Sequence, residues 1–507
     1  MKKRTIPYDV IIVGAGFGGL TAAACLAHKG QRVLLCERSG ELGGCAGRFE
    51  RGGYRFASGA TVGMGFEPGG VLHDLYSRLR IPLPEWKEPP VIMDIHLPDG
   101  AFPYWRSKAN WYVEAARQFP TESARVIAFF EEAFQVARLL EPVIRRRPLF
   151  PPTDAATAVR LLSLADSQTV RLLPFLTSTI ADRLKRFDLE KARRFLCFLN
   201  GQLIDSVQTT AEQCPAFLGY AALSTFHRGA FAIRGGLASV AEDLARSIIG
   251  DGGEIRRHCD IRTVERRAAG WLATNQYGEG FVGKKLVLNN SLHSLHRLLP
   301  EGLRKAVAVD AAHEQRRPAW GAFVLYLGCN DEGNLPGSGM VHQNSTPDSR
   351  LFHQFIGSYD LPPTEGNQFL LSLSSPEDRL FAPAGKRSIT ISTHTAVAQW
   401  WEPSRYDSLK AAYQQRILDT VARSFPGFPA TIEQVLPGTP VTWERFTGRH
   451  QGKVGGYIPT GPFSWLHNYP VRSGLSDLWF CGDTVFPGAG TLGTALSGMT
   501  VADQMTG

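Results

Sequence analysis

The 507-residue chain contains no run of about 18 uninterrupted apolar residues, so nothing in it reads as a membrane-spanning helix. Its eight cysteines (25, 36, 45, 197, 214, 259, 329 and 481) include no C-x-x-C pair, which removes zinc ribbons and dithiol redox motifs. Cysteine this sparse suits a reducing compartment better than a disulfide scaffold. No H-E-x-x-H or other metal-ligand spacing occurs, and no Ser-His-Asp or Cys-His constellation is legible. The thirteen histidines are scattered, and His293, His296, His342 and His353 read as structural or surface residues. Internal repeats, low-complexity tracts and nucleic-acid modules are also missing. With 43% hydrophobic residues and a net charge of only +8, the chain is no disordered polymer.

What the chain does have is glycine, 52 residues of it, in telling places. Lys2-Lys3-Arg4 followed by apolar residues imitates a signal peptide, but Gly14, Gly16, Gly18 and Gly19 would break its helix. The pattern is instead a strand (Tyr8–Val13), a tight turn, a helix (Leu20–Lys29) ended by Gly30, and a second strand (Val33–Cys36). This is a β-α-β unit with parallel strands. Gly14-Ala15-Gly16-Phe17-Gly18-Gly19 fits G-x-G-x-x-G, the turn that brings backbone and a helix N-terminus up to a pyrophosphate. Glu37 ends the second strand eighteen residues beyond Gly19, where a carboxylate accepts ribose hydroxyls.

Further along, residues 105–224 turn helical, with patterns over Ser123–Leu140 and Ala155–Leu164. Residues 228–265 return to α/β texture: Gly235-Gly236 opens a helix over Leu237–Ile249, and Gly252–Val264 reads as a turn and strand. Strands are expected at 318–329 and 387–395, a helix over Ser408–Phe425, and a strand, glycine-rich loop and helix over 474–507. Residues 125–200 carry thirteen Lys or Arg against eight Asp or Glu, a local excess of five positive charges. That excess is either a solvated face or a patch for anionic lipid.

The β-α-β unit alone does not separate NAD from FAD. Its continuation, Glu37-Arg38-Ser39-Gly40-Glu41-Leu42-Gly43-Gly44-Cys45-Ala46-Gly47-Arg48, resembles the extended FAD fingerprint of the flavin amine oxidase and phytoene desaturase superfamily. Tyr54-Arg55-Phe56-Ala57-Ser58-Gly59 is similar to that superfamily's segment beside the flavin, with Ala57 where Asp is common. Asn200–Thr209 and Ala232–Gly236 are similar to stretches of carotenoid cis–trans isomerases and desaturases. Leu478-Trp479-Phe480-Cys481-Gly482-Asp483-Thr484-Val485-Phe486-Pro487-Gly488-Ala489-Gly490 resembles the terminal flavin signature of the isomerase branch.

The resemblance spans nearly the whole chain and implies an α/β fold. A Rossmann-type FAD-binding domain (GR2/amine-oxidase-like) would be interleaved with a mixed-sheet substrate domain and a helical membrane- or substrate-access region. The expected division is FAD-binding parts at 1–105, 225–300 and 440–507, a helical region at 106–224 and a substrate domain at 301–439. The implied FAD contacts are Gly14, Gly16, Gly18, Gly19, Glu37, Arg38, Gly44, Arg48, Ser58, Gly59, Ile261, Gly482, Asp483, Gly490, Thr491 and Leu492. Arg48 would bring charge to the pyrophosphate or flavin, or make a surface ion pair. Asp483 would reach the ribityl chain or pyrophosphate. Ile261 would meet adenine through its backbone, or be plain core. Helix N–H groups at Thr491 and Leu492 would face the flavin pyrimidine edge.

The implied substrate is a long polyene, with cis–trans isomerisation or desaturation carried by the flavin and no side chain assigned as acid or base. Peripheral attachment to the cytoplasmic membrane from the cytoplasm, without metal or nucleic acid, is the expected setting. Met64, Phe66, Phe129, Phe130, Phe134, Phe195 and Phe198 are candidates for an access channel or ordinary core. Two other classes stay open at this point: a flavin oxidase or saturase of an amine, retinoid or other lipid, and a non-catalytic prenyl-lipid escort of the same fold.

Overall fold

The computed structural model describes residues 8–163, 166–307, 309–331, 333–336 and 350–506. Lys2-Lys3-Arg4, Leu164 and His342 lie outside them. Two seven-stranded sheets organise the chain. The first is the parallel core expected at the N-terminus. Val10–Val13 pairs in parallel with Val33–Cys36 on one side and with the strand Gly280–Leu288 on the other. Glu254–Arg256 extends one edge in parallel. Leu478–Phe480 adds to Leu286–Leu288, so the last strand of the chain lies two places from the first. An antiparallel hairpin of Ile261–Arg267 and Gly270–Asn275 completes the sheet. Buried on both faces, these central strands carry the continuous Val/Ile/Leu runs that made them legible.

The helix Phe17–His28 is buried along nearly its whole length because its residues are small. It packs against the C-terminal helix Gly490–Thr506 so closely that a Cβ on Gly498 would lie 2.3 Å from the Gly18 carbonyl oxygen. The first and last helices are thus bound together, and with them the two glycine-rich loops that precede them.

The second sheet runs in the order Ile432–Gly438, Trp320–Asn330, Lys386–Ala396, Gln368–Leu373, Phe352–Ile356, Val91–Leu97, Gly100–Trp105. Only the Val91–Leu97 pairing with Phe352–Ile356 is parallel. The hairpin Val91–Trp105 therefore belongs to this second sheet, although the sequence division placed 1–105 with the FAD-binding part. Its strand Val91–Leu97 is buried throughout, so it looks like a Rossmann strand while pairing elsewhere. One face of the sheet packs Phe323, Leu325, Leu371, Ile389 and Ile391 beneath the helix Pro403–Ser424.

The expected turn and strand over Gly252–Val264 is two strands. Between them the chain crosses Glu37–Ser39: Cys259 N–H donates to the Glu37 carbonyl (2.8 Å) and His258 N–H to that of Ser39 (3.1 Å). Helices Lys108–Gln118, Ser123–Arg145, Arg193–Val207 and Ala216–Arg228 gather around an aromatic core. Phe129, Phe130, Phe134, Phe195 and Phe198 are all within it, and Phe66 is buried against Trp86 and Phe231. Six of the seven residues considered for an access channel are therefore solid packing, with edge-on ring contacts such as Phe129–Phe195 at 5.8 Å. Met64 is half-buried at the margin of the core.

Candidate active site

The glycine turn is a cradle into which no side chain fits. Gly14 adopts φ +97°, and its N–H donates to the Cys36 carbonyl (2.8 Å). A Cβ on Gly19 would sit 2.1 Å from the Gly14 carbonyl oxygen, so this helix turn and strand end touch through backbone alone. Gly16 caps the helix with extended backbone and no side-chain partner, leaving the N-terminal N–H groups for a phosphate. Gly43 N–H donates to the Ala15 carbonyl (2.9 Å), which docks the second glycine pair and exposed Gly44 on the first turn.

Glu37 is buried where it was expected. Its Oε2 accepts from Ala15 N–H (2.7 Å) and its Oε1 from Ser39 N–H (2.9 Å). Burial raises its pKa, and these two hydrogen bonds, Ser39 then Ala15, work against that rise. Each oxygen keeps lone-pair capacity for a ribose hydroxyl. Arg38 lies across Gly448 and reaches Asp260 (3.8 Å). Ile261 is buried and begins the strand after the Glu37 crossing.

Arg48 pairs with Ala57 across a short hairpin, beside Ser58, and makes no ion pair or hydrogen bond through its side chain among the described residues. Ser58 N–H donates to the Gly47 carbonyl (2.9 Å), and its own carbonyl accepts from Tyr326 Oη (2.5 Å). A Cβ on Gly59 would press on Trp443 and the Cys45 carbonyl, both at 3.0 Å.

At the other end of the chain, Gly482 has φ +114° and donates its N–H to Ser497 Oγ (3.0 Å). Asp483 is buried, and its Oδ2 accepts from Arg449 Nη1 (2.7 Å). Burial works against the Arg449 charge, but Asp483 and then Cys45 more than offset it, so its pKa stands above the ordinary arginine value. The Asp483 carboxylate is thus held by a cation, with Oδ1 left for a ligand. Gly490 opens the last helix, Thr491 and Leu492 form its first turn, and Leu492 packs on Gly65.

Asn289, which sequence reasoning missed, ties the two ends together. Its N–H donates to the Val13 carbonyl (2.9 Å), its Nδ2 to the Gly14 carbonyl (3.1 Å), and Cys481 Sγ donates to its Oδ1 (3.5 Å). Positions Gly16, Gly18, Gly19 and Gly482 all abut it.

A Cβ on Gly456 would meet the Asp483 carbonyl, and one on Gly455 would meet the Gln208 side chain. The Gln208 carbonyl accepts from Trp320 Nε1 (2.8 Å), and the Trp320 ring lies edge-on to His394 at 6.2 Å. The glycine turn, Glu37 and the terminal loop are thus held together around Asn289. Among the described residues no group of His, Cys, Asp and Glu is arranged to hold a metal ion.

Comparison with known proteins agrees with this geometry. The profile for the flavin containing amine oxidoreductases matches residues 17–506, and the chain belongs to that family. It is a flavoenzyme whose cofactor is FAD. The chain is similar to chloroplastic prolycopene isomerase of Arabidopsis thaliana, 25% identical over 98% of this chain and 82% of that protein. It is also similar to the 4,4'-diapophytoene desaturase (4,4'-diapolycopene-forming) of Methylomonas sp, 24% identical over 95% of this chain and 92% of that one. The crystal structure of an oxidoreductase from Methanosarcina mazei shares the fold, with a TM-score of 0.65 at 16% identity over 97% of this chain and 99% of that one.

Proposed function

We propose that the protein is an FAD-dependent enzyme of carotenoid biosynthesis that acts on a long polyene, and that its reaction is cis–trans isomerisation. The observation that carries this reading is similarity over almost the whole chain to a prolycopene isomerase, glycine turn and terminal loop included. Desaturation is the second reading, supported by the diapophytoene desaturase match. When bound, FAD supplies the electron chemistry that a hydrocarbon without carbonyl or acidic proton needs. The protein's own work is to hold it and to exclude water. Glu37 and the glycine turn would take the adenosine ribose and pyrophosphate, with Arg38 and Gly44 beside them and Ile261 near adenine. Arg48, Ser58 and Gly59 would line the flavin edge. Gly482 and Asp483, fixed by Arg449, would take the ribityl chain, and Gly490, Thr491 and Leu492 would present N–H groups to the pyrimidine edge. The test is absorption spectroscopy of a poly-cis carotene in liposomes with the holoprotein. The polyene bands are expected to shift to the all-trans positions, and an unchanged spectrum at all flavin redox states would contradict the proposal.

A polyene dissolves in bilayers, and we propose peripheral docking on the cytoplasmic face of a membrane. No helix among the described residues is long and apolar enough to cross one. Five of the fifteen exposed large apolar side chains described fall within 144–173: Ile144, Val159, Leu162, Val170 and Leu173. Arg145, Arg146, Arg160 and Arg171 are exposed among them. Apolar side chains flanked by arginine suit an anionic interface. Co-sedimentation with anionic vesicles that weakens with salt supports docking, and equal binding to neutral vesicles at every salt concentration would overturn its electrostatic part.

A further inference from the structure

A cavity of about 340 Å³ lies against the second sheet, within the size range of small-molecule sites. Its sheet wall is a patch of hydroxyls. Ser388 and Thr390 alternate with Ile389 and Ile391, which pack beneath the helix Pro403–Ser424, and Thr390 pairs across the sheet with Ser372. Ser374 Oγ accepts from Ser388 N–H (3.1 Å), and Thr61 Oγ1 lies 2.7 Å from Ser372 Oγ. Apolar side chains supply other parts of the lining, among them Phe352, Phe381, Trp86 and Ile233, the last two paired across a short hairpin. Trp86 is held by its ring contacts with Phe66 (5.9 Å) and Phe231 (5.5 Å). The exposed charges that line the cavity are joined as ion pairs, Lys87 with Glu377 (2.7 Å) and Arg234 with Glu85 (2.7 Å). Ala57, also in the lining, is the neighbour of Ser58 and so sets the cavity beside the segment proposed for the flavin edge.

The fold does not use up these hydroxyls. Between Thr61 and Ser372 only one oxygen donates, so the other's proton is left over. Ser388 makes no hydrogen bond through its side chain among the described residues, and Ser375 Oγ, on another lining residue, is buried without a partner. A hydrocarbon filling the cavity would cover such groups and offer them nothing, which costs affinity. A ligand with an oxygen function on an apolar skeleton would pair with the hydroxyls while its carbons meet Trp86, Ile233 and Phe381.

Resting on the polyene reading, we propose that this cavity is a subsite for an oxygenated end of the polyene, so that the preferred substrate ends in a hydroxyl or keto group. Serine and threonine hydroxyls both donate and accept, and so serve either function. The Asp378 carboxyl, buried in the same lining and accepting from Gly235 N–H (2.6 Å), favours a neutral end over a carboxylate.

The test is competitive capture from detergent micelles. The holoprotein is offered equal amounts of mono-cis β-carotene and mono-cis zeaxanthin, which is the same polyene with a hydroxyl on each end ring. The protein is re-isolated and its bound pigment is extracted and separated by chromatography. Zeaxanthin should be enriched about 3- to 10-fold, the effect of one neutral hydrogen bond. In the double variant Ser375→Ala with Ser388→Ala the enrichment should fall toward one with FAD content unchanged, since neither hydroxyl has a partner in the fold. Equal capture of the two polyenes, or an enrichment that persists in the double variant, overturns the subsite and leaves the polyene reading standing. Capture of neither also overturns the subsite, and the polyene reading falls with it if the wild-type protein leaves a poly-cis carotene unconverted as well.

Discussion

Replacing Glu37 by alanine removes the acceptor of two buried backbone N–H groups, those of Ala15 at 2.7 Å and Ser39 at 2.9 Å. It also removes the carboxylate offered to the adenosine ribose. A hydrogen bond to a charged group contributes about 1.5–3 kcal/mol. Loss of the ribose contact alone should therefore weaken FAD binding roughly 10- to 150-fold. The two orphaned N–H groups add a cost to the protein itself, about 1–3 kcal/mol each where they stay dry. Glu37→Gln should fall between the two, because its amide keeps one acceptor oxygen and turns a donor toward an N–H. Equilibrium dialysis against FAD and FMN separates the effects. FMN lacks the adenosine ribose, so its affinity should change little while that for FAD drops. Because burial raises the Glu37 pKa, the loss of FAD affinity on acidification should also set in at a higher pH than for an ordinary glutamate. Wild-type FAD affinity in Glu37→Ala, or equal losses for FAD and FMN, would refute the ribose assignment.

Other outcomes follow from the same structure. Asn289→Ala breaks the tie between the first glycine turn and the terminal loop, and should cost about 1–3 kcal/mol in denaturant unfolding with faster loss of flavin; unchanged stability would count against the brace. Acid should destabilise the fold. Burial lowers His96 to about 3 and both His227 and His394 to about 4, so at these sites the unfolded chain binds protons first and their contribution is lost as pH falls through about 6.5, while the carboxyls that burial raises, Asp94 to about 6 and Asp205 to about 7, offset part of that loss. Each histidine contributes at most about 1.4 kcal/mol per pH unit over that window, and a flat unfolding midpoint from pH 7 to 5 would contradict this. The double substitution Val159→Glu with Leu162→Glu should reduce vesicle co-sedimentation at least tenfold, since burying each apolar side chain contributes about 1.5–3 kcal/mol, while leaving FAD content unchanged.

The parts of the site that were legible in sequence are those where backbone geometry dictates the residue. Gly14 and Gly19 must be glycine for the turn to close, and Glu37 must end the strand that the turn rests on. Arg449 and Asn289 were not legible because their roles arise from pairings between segments distant in sequence: Arg449 gains meaning only beside Asp483, 34 residues on, and Asn289 only between Gly14, 275 residues before it, and Cys481, 192 after it. The hairpin Val91–Trp105 was misassigned because a strand buried on both faces looks alike in either sheet.

The central claim, an FAD-dependent polyene isomerase, is tested most directly by anaerobic incubation of the holoprotein with a poly-cis carotene in liposomes. Parallel samples hold the flavin oxidised and reduced, and each product is read by chromatography with mass spectrometry. The account predicts an all-trans product of unchanged mass, formed when the flavin is reduced. A product lighter by two hydrogens, formed with oxidised flavin and an electron acceptor, would make the protein a desaturase, and no conversion of any polyene in either state would contradict the account.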